Sequence, residues 1–182
     1  NKQIAIIGGG PGGLTLARLL QMKGVHVKVY ERDKDKNARA QGSPLDLHEN
    51  SRLAAMVKAG LMEEFKANFL MGADKTTIVN PQAEIFYSEH DTDKKDENFG
   101  YEHFRPEIDR GVLRKILLES LQNDTIVWDS HFLSMEKEGN GWTLHFKNNK
   151  NVYADIVIAA DGANSKVRPY VTDIKAFYSG IL

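Results

Sequence analysis

The stretch Gln3–Glu31, QIAIIGGGPGGLTLARLLQMKGVHVKVYE, decides the fold. Ile4-Ala5-Ile6-Ile7 is an apolar run of strand length and predicts a buried strand. Gly8-Gly9-Gly10-Pro11-Gly12-Gly13 follows at once and contains G-x-G-x-x-G as Gly8, Gly10 and Gly13, with Pro11 and Gly12 inside the same turn. Leu14, Leu16, Ala17, Leu19, Leu20 and Met22 then recur at helical spacing until Gly24 stops the helix. Val25, Val27, Val29 and Tyr30 predict the next strand, closed by Glu31, an acid 21 residues after Gly10. Strand, glycine turn, helix, strand and acid together form the context in which this motif cradles a dinucleotide. Gly8 permits the turn, Gly10 lets the backbone approach a pyrophosphate, and Gly13 lets the helix sit close to the sheet. The orphan amides and positive dipole end of the helix face the phosphates. A carboxylate at Glu31 accepts hydrogen bonds from a ribose 2′-hydroxyl and repels a 2′-phosphate, which favours FAD or NAD over NADP in this crevice.

Composition narrows the function class. The chain has 182 residues, enough for one domain with a sizeable core or one domain and part of another. A net charge of −1 gives no electrostatic reason to expect a nucleic-acid partner or an anionic membrane surface. Cysteine is absent, which rules out disulfides, zinc-thiolate sites and cysteine nucleophiles and fits a reducing compartment. No apolar stretch approaches a membrane span, and the sequence from Asn1 reads as mature, so a soluble, cytoplasmic protein is expected. The six histidines show no metal-ligand spacing, and no metal is expected.

Outward from the opening stretch, residues 32–37 read as a charged, solvated turn and residues 38–48 as extended or looped chain. Leu53, Ala54, Met56 and Val57 predict a helix over residues 49–59 with Gly60 as its C-cap. Residues 70–79 and 83–87 read as strands, and residues 90–98 as a mixed-charge loop. Asp109 is a plausible N-cap for a helix with Val112, Leu113, Ile116, Leu117 and Leu121 on its apolar face, ending at Asn123-Asp124. Strands follow at residues 125–128, 132–137 and 142–147, the last two joined by the Gly139-Asn140-Gly141 hairpin signal. Residues 154–160 read as one fully buried strand leading into Asp161-Gly162-Ala163-Asn164-Ser165-Lys166-Val167-Arg168. In a doubly wound sheet that turn should return close to Gly8–Gly13.

With both motifs in place, the sequence resembles the FAD-dependent monooxygenases of the aromatic-hydroxylase type, nearest to the tetracycline-inactivating branch. The resemblance rests on IAIIGGGPGGLTLARLL, VYERD, ARAQGSPLDLH, PEIDRGVLRKILLESLQNDTIVWD and ADIVIAADGANSKVRPYVTD, and spans the amino-terminal half of the family's usual length. It implies an α/β, Rossmann-like FAD-binding domain with a mainly parallel sheet, flanking helices and a small antiparallel β-meander. Residues 1–172 would form that domain, and residues 173–182 would begin a substrate-binding domain, so the sequence is expected to be part of a longer protein.

The resemblance also assigns residues. Gly8, Gly10 and Gly13 match the pyrophosphate turn, Glu31 the acid on the adenosine ribose, and Arg32 its neighbour near the adenine. Asp46, within Leu45-Asp46-Leu47-His48, matches a contact near the flavin, with His48 read as a packed or exposed bystander. Arg39 stands at a position associated with NADPH. Arg110 matches a helix-start arginine that binds FAD, and its unfavourable place against the helix dipole argues for a functional reason. Asp161 and Gly162 match the Asp-Gly motif used for FAD, and Arg168 closes it with an association to the nicotinamide cofactor. Ser43-Pro44 departs from the Gly-Thr common in the tetracycline branch. The implied reaction has NADPH reduce FAD and the reduced flavin activate oxygen to hydroxylate an aromatic or polycyclic small molecule; it needs no nucleophilic triad, and a monomer is expected, since the family includes monomers. An inactive FAD-binding module lacking the substrate half is the alternative, and an NAD-dependent dehydrogenase lacks its Tyr-Lys or histidine site here.

Overall fold

The computed structural model describes residues 2–38, 42–73, 75–88, 99, 104–177 and 179–180. In chain order the elements are β1 (Ile4–Ile7), α1 (Pro11–Met22), β2 (Val27–Tyr30), β3 (Leu45–Asp46), a π-helical turn (Glu49–Leu53) that runs into α2 (Ala54–Ala59), and α3 (Met62–Lys66). Then come β4 (Thr77–Val79), β5 (Ile85–Ser88), β6 (Glu107–Ile108), α4 (Arg110–Glu119), β7 (Ile126–Val127), β8 (Phe132–Glu138), β9 (Gly141–Phe146), β10 (Asn151–Ala154) and β11 (Ile156–Ala159). They group into two units, Asn1–Ala40 with Leu117–Leu182, and Gln41–Ile116.

In the first unit the strands run β11-β1-β2-β7, all parallel, with Ile4 opposite both Ile156 and Val27 and Val29 opposite Ile126. The two-residue period of a strand sorts β1 onto two faces. Ala5 and Ile7, with Tyr30 of β2, pack against Phe132, Met135, Leu144 and Phe146 of the antiparallel meander β8-β9-β10. Ile6, Val27 and Val29 pack on the other face against Ala17 of α1, with Leu16 and Leu20 beside them. Ile6 and Leu144 are fully buried, each worth about 1.5–3 kcal/mol. Tyr30 stacks on Phe146 with ring centroids 5.0 Å apart, locking sheet to meander. The expected parallel sheet with a flanking helix and a small meander is thus the observed architecture.

Several local expectations need correction. Residues 154–160 are not one buried strand. Asp155 breaks the run by pairing with Gln3, its amide donating to the Gln3 carbonyl at 2.9 Å and its carboxylate accepting from the Gln3 amide at 2.6 Å. The chain therefore leaves the meander as β10 and enters the parallel sheet as β11, an edge strand whose Ile156 is exposed. The strand expected over residues 70–79 shrinks to β4, with Leu70 making a lone bridge to Glu107. The helix expected to reach Asn123 ends at Glu119. Val25 belongs to the turn after α1, its amide bonded to the Leu20 carbonyl. The loop expected at residues 90–98 lies outside the described residues.

In the second unit β3 pairs antiparallel with β6, setting Leu45 opposite Ile108 and Asp46 opposite Glu107. Gly60 ends α2 in the left-handed conformation at φ 69°, as its sequence position suggests. Leu47, Leu53, Met56, Phe65 and Ile108 are buried. Asp109 caps α4, its Oδ1 accepting from the amides of Gly111 and Val112 at 2.8 and 3.0 Å. Among the described residues, no helix is long and apolar enough to cross a membrane.

Candidate dinucleotide site

The order of the parallel strands fixes where a ligand can lie. β1 has the next strand in sequence on one side and the last on the other, so the crevice beyond the carboxyl ends of β1 and β11 is a topological switch point. The glycine turn emerges there from β1. Gly8 adopts φ 109°, and a Cβ on it would run into the Ala160 carbonyl oxygen at the end of β11. A Cβ on Gly13 would run into the Gly8 carbonyl oxygen, so the start of α1 is pressed onto the turn. Gly10 and Gly12 behave oppositely: a Cβ on either meets nothing within 4 Å. Two glycines close the turn against the sheet and two leave its outer side open.

Gly10 is the extended N-cap of α1 and supplies no side chain to its first turn, and Pro11 removes one donor. The amides of Gly12 and Gly13 precede the first intrahelical bond, from the Leu14 amide to the Gly10 carbonyl at 3.0 Å. Beside them, Glu31 at the end of β2 is buried, yet both carboxylate oxygens are held. Oε2 accepts from the Gly9 amide at 2.6 Å and Oε1 from the Asp33 amide at 3.0 Å. The acid is therefore fixed against the glycine turn, facing it and not the bulk solvent. A carboxylate keeps further acceptor positions after two such bonds, which suits a sugar hydroxyl. Open backbone, orphan amides and an immobilised acid fit the phosphates and ribose of a dinucleotide.

Gly9, which the motif does not count, is also constrained, by a side chain where Gly8 is constrained by backbone. A Cβ there would stand 2.8 Å from Glu31 Oε2 and 3.2 Å from its Cβ and Cγ. The third glycine of the Gly8-Gly9-Gly10 run was the signal for it.

Asp161 arrives next to the turn, its Cα 3.0 Å from where a Gly8 Cβ would stand. Its carboxylate is engaged by its own loop. Oδ1 accepts from the Ser165 hydroxyl at 2.6 Å and Oδ2 from the Lys166 amide at 2.7 Å. Gly162 takes φ 83° to let this loop fold back, and Arg168 donates to the Ala163 carbonyl at 3.0 Å. Ser165, part of the motif in the sequence but without a role assigned there, ties the loop a second time by accepting from the Arg168 amide at 3.1 Å. Arg32 follows Glu31 and is exposed, while Arg39 lies outside the described residues.

In the second unit the structure brings Asp46 and Arg110 to neighbouring places, the β3–β6 pair and the first turn of α4. Asp46 is not alone: its Oδ2 lies 3.0 Å from His48 Nε2, and Arg52 donates to both its carbonyl at 2.9 Å and its Oδ1 at 3.2 Å. His48 is therefore exposed but partnered. Among the described residues, the buried Nε of Arg110 has no hydrogen-bond partner.

Comparison with known proteins agrees with this geometry. The family described as FAD binding domain matches residues 1–177. Zeaxanthin epoxidase of rice (Oryza sativa subsp. japonica) is 30% identical over 172 residues, which are 91% of this chain and 26% of the epoxidase. The crystal structure of tetracycline destructase Tet(55) superposes with a TM-score of 0.72 at 24% identity, over 94% of this chain and 42% of that one. Klebsiella pneumoniae HpxO, solved with FAD and uric acid, superposes with a TM-score of 0.73 at 22% identity, over 93% of this chain and 41% of that one. The chain thus spans between a quarter and somewhat under half of these proteins, and the solved structures share its fold.

Proposed function

Since the chain belongs to the FAD binding domain family, we propose that it forms the FAD-holding portion of an NADPH-dependent flavoprotein monooxygenase. The substrate class would be an aromatic or polycyclic small molecule, tetracycline-like compounds included. One observation carries the reading: the buried carboxylate of Glu31 is bonded to the Gly9 amide at 2.6 Å, beside glycines whose outer side is open. In this reading Gly8, Gly10 and Pro11 shape the turn, the amides of Gly12 and Gly13 face the pyrophosphate, and Glu31 accepts from the adenosine ribose. Arg32 lies near the adenine. Asp46, held between His48 and Arg52, and Arg110, whose Nε still lacks an acceptor, serve the flavin end. Asp161 and Gly162 shape the neighbouring loop, while Arg39 and Arg168 serve NADPH.

Bound FAD would supply the electron-transfer and oxygen chemistry of the reaction. The chain's own residues bind and orient. The immobilised acid matches a ribose 2′-hydroxyl and disfavours a 2′-phosphate, which leaves NADPH to dock transiently elsewhere. Exposed Ile174 and Phe177 support reading residues 173–182 as the approach to a substrate-binding domain. The lack of cysteine supports a cytoplasmic location, and a monomer is the simplest assembly.

The length comparison favours a second reading alongside the first, in which the 182 residues hold FAD but turn nothing over. Purified protein should be yellow and release FAD on denaturation. Colourless protein that retains NAD would contradict the flavin reading, and oxygen-dependent NADPH oxidation by this chain would remove the inactive-module reading.

A further inference from the structure

Three cationic side chains, Arg32, Lys147 and Lys166, act on His131, and of these four residues the FAD reading uses only Arg32. Arg32 follows β2, His131 follows β7, Lys147 follows β9 and Lys166 lies in the loop after β11. Main-chain bonds tie these loops together. The Ser130 amide donates to the Glu31 carbonyl at 2.8 Å, the Asp129 amide to the Asp33 carbonyl at 2.8 Å, and the Lys147 amide to the His131 carbonyl at 2.9 Å. The Lys166 amide is held by Asp161 Oδ2 at 2.7 Å. The cations are therefore mounted on fixed backbone at the carboxyl end of the parallel strands, where ligands of such sheets gather.

Lys166 Nζ lies 3.4 Å from His131 Nε2. An ammonium group is a donor without an acceptor, so as a hydrogen bond this contact has Lys166 donating to an unprotonated Nε2, with the ring proton on Nδ1. Burial, then Lys166, Lys147 and Arg32, hold the His131 imidazole below its ordinary value of 6.5. The three charges that lower it are all positive. The carboxylates on these loops are those of Asp33, Asp129 and Asp161, and that of Asp161 is engaged by the Ser165 hydroxyl and the Lys166 amide. Neighbouring positive charges disfavour protonation of the imidazole, and an arriving anion would reverse that balance.

We propose that Arg32, His131, Lys147 and Lys166 form a binding site for a small tetrahedral dianion, a phosphate or phosphate ester, and that its binding draws a proton onto His131. Without the anion, Lys166 donates to His131. With it, both groups donate to the anion, and the imidazole becomes cationic. Affinity therefore rises as pH falls through the histidine range. The inference does not depend on FAD.

Sulfate is the probe, because it stays dianionic across the titration. The His131 ring is titrated by NMR in the full chain with sulfate or with chloride at equal ionic strength. Sulfate should raise the His131 pKa saturably and chloride should not. Lys166→Gln, an exposed position, should weaken the sulfate response about tenfold, the loss of one charge-assisted hydrogen bond, and Lys147→Gln should weaken it less. Equal effects of the two salts would reduce the cluster to general screening and overturn the site. So would an undiminished sulfate response in Lys166→Gln with a wild-type-like spectrum. NADPH and NADH, alike but for one phosphate, then separate the sources. A response to NADPH alone, below the sulfate concentration, places the dianion on a nucleotide, and no response to either assigns a free ion. Equal responses to both without one to sulfate overturn the proposal.

Discussion

Two turns leave adjacent parallel strands side by side, and they handle their main-chain donors in opposite ways. The turn after β1 holds its polar side chain at a distance, in Glu31, and leaves the outer side of Gly10 and Gly12 bare. The turn after β11 carries its own acid, and Asp161 consumes the donors of Ser165 and Lys166. The first is a cradle with an opening; the second is a self-closed loop that walls it. Glycine richness alone does not make an anion site. What matters is whether the amides are left without a partner from the chain.

The comparison can be broken or sharpened by substitution. Gly8→Val should have the largest effect, since the Ala160 carbonyl cannot give way and φ 109° is strained for a side chain. A loss of about 3 kcal/mol in urea unfolding, with no FAD retained, is expected. Asp161→Ala should come next, costing about 1.5–3 kcal/mol of stability through the loop's charge-assisted bonds, with a smaller fall in FAD affinity. If FAD affinity fell more than stability, Asp161 would be a direct ligand and the contrast between the turns would fail. Gly10→Ala should sharpen the contrast: stability within about 1 kcal/mol of wild type, because the added methyl meets no protein atom, but weaker FAD binding in a fluorescence titration.

The smallest expected effect is on pH dependence. His131 is held below its ordinary value by burial and by Lys166, Lys147 and Arg32. The unfolded chain therefore binds its proton first, and stability falls as pH drops below about 6.5 toward the folded value. Above that range the contribution is constant. Melting temperatures across pH 5–8, taken in chloride, should show this slope, and Lys166→Gln should flatten it.

Much of the first unit was legible because β1, the glycine turn and α1 change period within a few residues, and Gly24 marks the stop. The rest was hidden for physical reasons. Ala154–Ala160 looks continuous because Asp155 is one polar residue in an apolar run, and its bond to Gln3 is a partner 152 positions away. α3 has five residues, too few to show a helical period, and β3 and β6 have two each. At the site, Gly8, Gly10, Gly13 and Glu31 were readable from spacing. The roles of Gly9 and Ser165 were not, because they depend on where the carboxylates of Glu31 and Asp161 point once the chain has folded. His48 reads as a packed or exposed histidine and is exposed, while its contact with Asp46 depends on a register that exists only once the chain has folded.

The central claim is that a main-chain cradle and one fixed acid hold the adenosine half of FAD. Flavin fluorescence titration of apoprotein against Glu31→Ala tests it most directly. The account predicts saturable one-to-one binding by the wild type and a loss of about 1.5–3 kcal/mol in the variant. Equal affinity of the two proteins for FAD would contradict it.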